Sequence, residues 1–309
     1  MHNVLDLLFN INNFSATVRM ATPLALAAMG GAFSERAGVI NLGLEGMILI
    51  GSFAGAYGSF VTGSAWLGVL FAVVAGGLSG ALLAVFTVRF RADQVVSGVG
   101  LNILALGLTT WLMQVIWQTR GTSAEVAGLQ PVTIPGLVNV PVLGIIFGTH
   151  SPLVYAMFVL VFVGWAAVFR TPWGLRLRMV GEHPEAADTA GIKVHRTQYL
   201  AVTLSGCLAG LGGAYLSLGQ LNWFSMNMSA GRGYMALAAN IMGGWNPAGG
   251  LAASFLFSYT DALQMRIQTS GLTWPSEITQ MLPYLLTVAV IAGAVIRSRP
   301  PAALGKHYE

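Results

Sequence analysis

The sequence predicts an all-α polytopic membrane bundle of eight or nine spans, with one broken helix near residues 234–250. Three observations carry this expectation. Charged residues occupy 8% of the 309 positions, against roughly 25% in a soluble domain. Hydrophobic residues occupy 55% and fall in runs of about 20, the length that crosses a bilayer as a helix. Glycine is abundant, at 39 residues, which suits helices that approach closely in lipid. The net charge of +4 is therefore no sign of nucleic-acid binding, because Lys and Arg in such a chain gather in cytoplasmic loops. Residues 1–309 read as a single transmembrane domain.

The N-terminal stretch MHNVLDLLFNINNFS has no Lys or Arg before Arg19 and no small-residue cleavage site. It reads as an interfacial segment rather than a removable signal peptide. The first span is expected at 16–33, containing Pro23, followed by a polar link at 34–38. Spans follow at 40–60 and 66–88, then a charged link with Arg89, Arg91 and Asp93, then a span at 95–117. A loop at 118–150 carries Pro131, Pro135 and Pro141 and little charge. Further spans are expected at 152–169 and 198–218. Residues 220–233 are polar and Met-rich, and 234–242 are apolar but too short to cross unaided. The run GGWNPAGG at 243–250 breaks any helix. Apolar sequence resumes at 251–263, and 281–296 is the last expected span.

Orientation follows from the stretch 170–196, RTPWGLRLRMVGEHPEAADTAGIKVHR, whose Arg170, Arg176, Arg178, Lys193 and Arg196 place it in the cytoplasm. The loop 118–150 and the segment 220–232 then fall outside; Arg36, Arg89, Arg91 and the C-terminal Arg297, Arg299 and Lys306 fall inside. Within the cytoplasmic stretch, Glu182 precedes Pro184, which suits a first helical position. Glu185 and Asp188 complement the positive end of a helix, and Gly191 suits a left-handed stop. The pattern predicts a helix over 184–190, two turns and about 10 Å long, with Ala186, Ala187 and Ala190 at its centre. Such a helix either inserts into a cleft of another protein or lies on the membrane surface.

Four polar residues in apolar surroundings are candidates for lining a pathway. Glu45 is ionisable within an apolar run, a functional candidate by default; pairing with Arg36 or with backbone amides is the favoured alternative. Asn41 sits in the same kinked entry. Asn102 shares a polar stripe with Ser97, Thr109 and Thr110, and it either bonds a neighbouring helix or faces the pathway. Asn240 precedes the Gly-rich break, which either exposes backbone groups or makes a tight turn. Glycines at four-residue spacing, Gly51/Gly55, Gly76/Gly80 and Gly206/Gly210, read first as helix-packing faces.

Several chemistries are excluded. The single cysteine, Cys207, allows no intrachain disulfide and no thiolate metal site. No G-x-x-x-x-G-K-[ST] precedes either Lys193 or Lys306, so the chain has no P-loop. No catalytic constellation, metal site or cofactor is expected. Few carboxylates fall in the spans, which disfavours an ion-coupled carrier or channel.

Four segments carry a resemblance: FSERAGVINLGLEGMILIG at 33–51, VVSGVGLNILALGLT at 95–109, WGLRLRMVGEHPEAADTAGI at 173–192 and GRGYMALAANIMGGWNPAGG at 231–250. Together they resemble permease subunits of bacterial ABC importers of the simple-sugar, branched-chain amino acid and nucleoside type. The likeness covers about 22–296 and is strongest to the nucleoside branch. It implies a plasma-membrane subunit without ATPase activity of its own. The expected partners are an ATP-binding cassette subunit, a second and non-identical permease, an extracytoplasmic substrate-binding protein and the lipid bilayer. The third segment matches the family's cytoplasmic coupling loop, which assigns Glu182, Pro184, Glu185, Ala186, Ala187, Asp188 and Gly191 to docking of the ATPase subunit. A nucleoside is the expected substrate, with a neutral sugar such as ribose as the alternative.

Overall fold

A computed structural model of the chain describes residues 11–138, 140–269, 281, 285, 288 and 299–308. The expected interfacial stretch therefore lies largely outside the described residues, and so does all but three positions of the expected span at 281–296. The main helices are α1 (Ile11–Arg36), α2 (Leu44–Thr62), α3 (Ala65–Ala84, running on as a π-turn over Val85–Arg89) and α4 (Gln94–Trp117). Next come β1 (Val132–Thr133), the short α5 (Pro135–Val138) and α6 (Leu143–Phe147), and β2 (Thr149–His150). The chain continues through α7 (Pro152–Arg170), α8 (Pro172–Glu182), α9 (Pro184–Thr189), α10 (Val194–Ala214, with a π segment Tyr215–Leu221), α11 (Arg232–Met242) and α12 (Pro247–Thr269).

Five helices among the described residues are long and apolar enough to cross a membrane: α2, α3, α4, α7 and α10. That is fewer than the eight or nine expected, for identifiable reasons. At 26 and 23 residues, α1 and α12 are long enough but less apolar. At 11 residues, α11 is half a crossing.

The centre of the bundle is built on glycine. A Cβ on Gly51 would overlap the backbone of Gly210, one on Gly76 would overlap Gly206, and one on Gly80 would overlap Val202. Gly55 lies against Ala214 and Ser217 of the same helix, α10. The three glycine pairs singled out in the sequence thus meet in one junction of α2, α3 and α10. Without side chains between them the backbones approach closely, and dispersion replaces the hydrophobic drive that lipid cannot supply. The other side of α10 receives α1, where Gly30 lies against Ser205 and Gly212 against Pro23. Pro23 sits inside α1.

Three expectations need correction. The polar link expected at 34–38 begins as helix, since Ser34, Glu35 and Arg36 are the last residues of α1. The stretch 170–196 holds two helices rather than one, because α8 precedes the expected short helix, which forms as α9. Pro172 starts α8 and the Thr171 side chain caps it by accepting from Gly174 N–H. Gly191 follows α9 with φ of 78°, the left-handed geometry its position called for. Finally, residues 220–232 do not stay at one end of the bundle. Their beginning lies beside the 118–150 loop, where Val126 N–H donates to Asn222 O and Ser123 N–H to Phe224 O. Their end reaches Glu45 in the first turn of α2.

Candidate functional site

Two segments that look unrelated in sequence fold into one clamp. Glu35, 2% exposed, accepts hydrogen bonds from Asn240 Nδ2 at 2.8 Å and from the Trp245 indole N–H. The neighbouring Arg36 donates to Trp245 O at 2.8 Å and Gly244 O at 3.0 Å. Its guanidinium also lies over the Phe169 ring, 5.6 Å from the centroid. Gly244 and Trp245 both have positive φ, 66° and 55°. The Trp245 conformation is strained for a residue with a Cβ, and three hydrogen bonds from the end of α1 hold it. The break between α11 and α12 is therefore a tight turn gripped by α1.

Asn41 and Asn240, both expected near a pathway, are each fully buried in such structural roles. Asn41 donates to Ser205 Oγ at 2.8 Å and accepts from Gly43 N–H at 3.0 Å, fixing the turn into α2.

Glu45 is placed differently. Its two carboxylate oxygens accept from Gly231 N–H at 2.8 Å and Gly233 N–H at 2.6 Å. These are unsatisfied amides at the start of α11, where the helix dipole favours a negative charge. Glu45 is thus a cap supplied by another helix, with amides as partners and Arg36 engaged elsewhere. Gly233 is required there, since a Cβ would overlap the Glu45 backbone. The start of α11 lies inside the bundle. The Phe224 ring packs on Phe53, and eight residues of α2 separate Phe53 from Glu45, about 12 Å. Residues 224–231 cover that distance as turns, with Asn227, Ala230 and Gly231 at positive φ.

Beside this unwound descent runs a cleft of about 280 Å³, lined by Glu45, Asn102, Asn227, Ser229 and Tyr234 with apolar residues of α4. Asn102 joins its walls: Oδ1 accepts from Gly46 N–H at 2.8 Å, while Nδ2 donates to Leu42 O at 2.9 Å and Tyr234 Oη at 3.0 Å. Among the described residues, the buried Ser229 Oγ has no hydrogen-bond partner. Thr109 and Thr110 instead bond carbonyls of their own helix. The structure therefore brings Glu45 and Asn102 to one site and keeps Asn41 and Asn240 apart from it. Sequence reasoning missed Asn227, Ser229 and Tyr234. Their polarity was visible, but only the descent of the chain makes it matter.

At the end of the bundle near Arg36, α9 presents Glu185, Ala186 and Asp188 to solvent, with Gly191 exposed after it. Ala187 points inward, fully buried against Val180 and Val194, so it seats the helix and cannot itself touch a partner. Pro184 is half-buried, and Glu182 accepts from Ala302 N–H at 3.1 Å.

The family profile described as branched-chain amino acid transport system / permease component matches residues 13–291. The guanosine ABC transporter permease protein NupQ of Bacillus subtilis (strain 168) is 40% identical over 305 residues, 95% of each chain. The nucleoside ABC transporter permease protein NupC of Lactococcus lactis subsp. cremoris (strain MG1363) is 40% identical over 300 residues, 93% of each. TsgC13 of Haloferax volcanii, named as a glucose ABC transporter permease, is 36% identical and covers 95% of this chain and 96% of its own. Among solved structures, an inward-facing conformation of a metal-chelate type ABC transporter superposes with a TM-score of 0.51 at 16% identity, covering 92% of this chain and 86% of that one. The last likeness concerns the fold alone.

Proposed function

The chain belongs to the branched-chain amino acid transport system / permease component family, and from that premise we propose that it is the permease subunit of an ATP-driven importer that carries nucleosides. The substrate class rests on the two nucleoside relatives at 40% identity. ATP hydrolysis belongs to a separate subunit, an extracytoplasmic binding protein delivers the substrate, and a second permease completes the pathway. The stretch 170–196 and the C-terminal segment face the cytoplasm of a bacterial cell, and the loop 118–150 faces out.

The observation that carries the transport reading is the cleft beside residues 224–231. Non-helical backbone at membrane depth is tolerated only where protein buries it or where it lines an aqueous cavity. The cleft is open along α4 and falls just below the roughly 300–1,000 Å³ of enclosed ligand sites, so a second permease would supply its missing wall. Its accessible groups suit an uncharged, hydrogen-bonding solute: the exposed Asn227 amide and the half-exposed Tyr234 ring. Glu45 is occupied by amides and offers no counter-ion. On this reading Asn102 and Tyr234 line the pathway, and Glu185, Ala186 and Asp188 meet the ATPase subunit.

The test is reconstitution in liposomes with the second permease, the ATPase subunit and the binding protein, followed by radiolabelled guanosine uptake. ATP-dependent uptake is expected. ATP-dependent uptake of glucose or ribose without guanosine would replace the substrate class, an outcome to which the 36% identity with TsgC13 gives weight. Uptake by this chain alone, driven by an ion gradient, would overturn the importer reading.

A further inference from the structure

The segment 299–308 does not trail away from the bundle. Pro301 and Ala303 are buried. Ala303 N–H donates to Gly181 O at 2.9 Å, in the last turn of α8, and Gly305 N–H donates to Gly38 O at 3.0 Å, in the link between α1 and α2. Ala302 N–H donates to the Glu182 carboxylate. The Tyr308 ring lies 5.5 Å from that of His195 and packs on the cluster of Val180, Ala187 and Val194, which includes the buried face of α9. Three glycines make room for this path. Gly38 has φ of 88° and lies against Ala303 O; Gly181 packs on the Arg36 carbonyl; Gly305, at φ of 78°, lies against Ile40. The segment thus contacts α8, α9, the start of α10 and the α1–α2 link together.

We infer that residues 301–308 and α9 form a single docking face for the ATP-hydrolysing subunit, with the C-terminal segment joining that face to the α1–α2 link. The inference rests on reading α9 as the coupling element. Lys306 and His307 at one end of this surface and Glu185 and Asp188 on α9 are all exposed, so the composite face carries both signs of charge, whereas α9 alone offers only acids. Such an arrangement fixes the register of a partner better than a single-signed patch. The connection also gives α9 a route inward. Displacing α8–α9 pulls on Gly38 through the C-terminal segment, next to the Glu35–Arg36 clamp and seven residues before Glu45.

Two variants test this in the assembled complex. Lys306→Glu with His307→Glu alters only exposed side chains and leaves the buried segment in place. Gly305→Val lifts the segment, because a side chain meets Ile40 and a positive φ. Both should weaken co-purification of the ATPase subunit with the permease pair, by roughly tenfold, and lower hydrolysis stimulated by loaded binding protein, while the second permease still co-purifies. Wild-type association in both would overturn the inference. Glu185→Arg separates the two levels. If Glu185→Arg loses the ATPase subunit while the other two retain it, only the composite face fails; if all three retain it, the coupling role of α9 fails as well.

Discussion

Helices α2 and α4 differ in a way that a soluble protein would reverse. The apolar window of α2 has mean hydropathy 1.3 and is 72% buried; that of α4 has mean hydropathy 1.7 and is 22% buried. The less apolar helix is the inner one. In lipid the exterior is as apolar as the interior, so hydrophobicity does not sort helices between them. What sorts them is the ability to approach another backbone and to satisfy polar groups. Gly51, Gly55 and Gly58 give α2 contact faces against its neighbours, whereas Gly100 and Gly107 of α4 meet nothing within 4 Å. Glu45 and Ser59 of α2 bond groups outside their own helix; in α4 Asn102 does so where that helix meets α2, whereas Thr109 and Thr110 turn back on theirs.

This contrast can be broken most severely at the glycine junction. Gly76→Val or Gly51→Leu should destabilise the chain by at least the 1–3 kcal/mol typical of overpacking, because the obstacle is backbone. Loss of folded, monodisperse protein in detergent would register it, and a normal unfolding transition would show that the junction can open. A smaller effect is expected at the helix cap. Glu45→Ala removes two charge-assisted bonds and should cost about 2–3 kcal/mol, whereas Glu45→Gln keeps acceptor capacity and should cost about half as much. Chemical denaturation of both variants distinguishes a cap from a carboxylate used in transport, since a transport role would abolish uptake in the stable Gln variant. The smallest effect belongs to α4. Gly107→Leu should not destabilise the isolated chain, and the better helix former should raise its stability by up to about 1 kcal/mol, since nothing lies within 4 Å of the glycine. Its effect on pairing then identifies what α4 faces: reduced recovery of the second permease places this face at a protein interface, and full recovery places it in lipid.

Length and hydropathy made most helices legible. The expected spans at 66–88, 95–117 and 152–169 each coincide closely with a helix, because a 20-residue apolar run has few other ways to satisfy its backbone in a bilayer. Pro184 and Gly191 likewise bracket α9 at the positions their backbone preferences dictate. The site was less legible. Glu35 sat in what looked like a polar link, yet it is the centre of a buried clamp. Its partners Asn240 and Trp245 lie more than 200 residues away, and no local pattern in a single sequence encodes such a pairing. The descent of residues 224–231 was hidden for a related reason. Turn-rich polar sequence reads as surface, and only Glu45 at its far end reveals that it runs inward.

The Glu45 cap also imposes a schedule on synthesis. Its acceptor oxygens lie 186 and 188 residues ahead of the amides they bind. At roughly 5–20 residues per second, the ribosome adds Glu45 about 10–40 s before it adds Gly231 and Gly233. Throughout that interval a carboxylate designed for two donors has neither, in a helix committed to an apolar environment. The nascent chain must therefore keep the start of α2 near water or within the insertion machinery until α11 arrives to close the bundle.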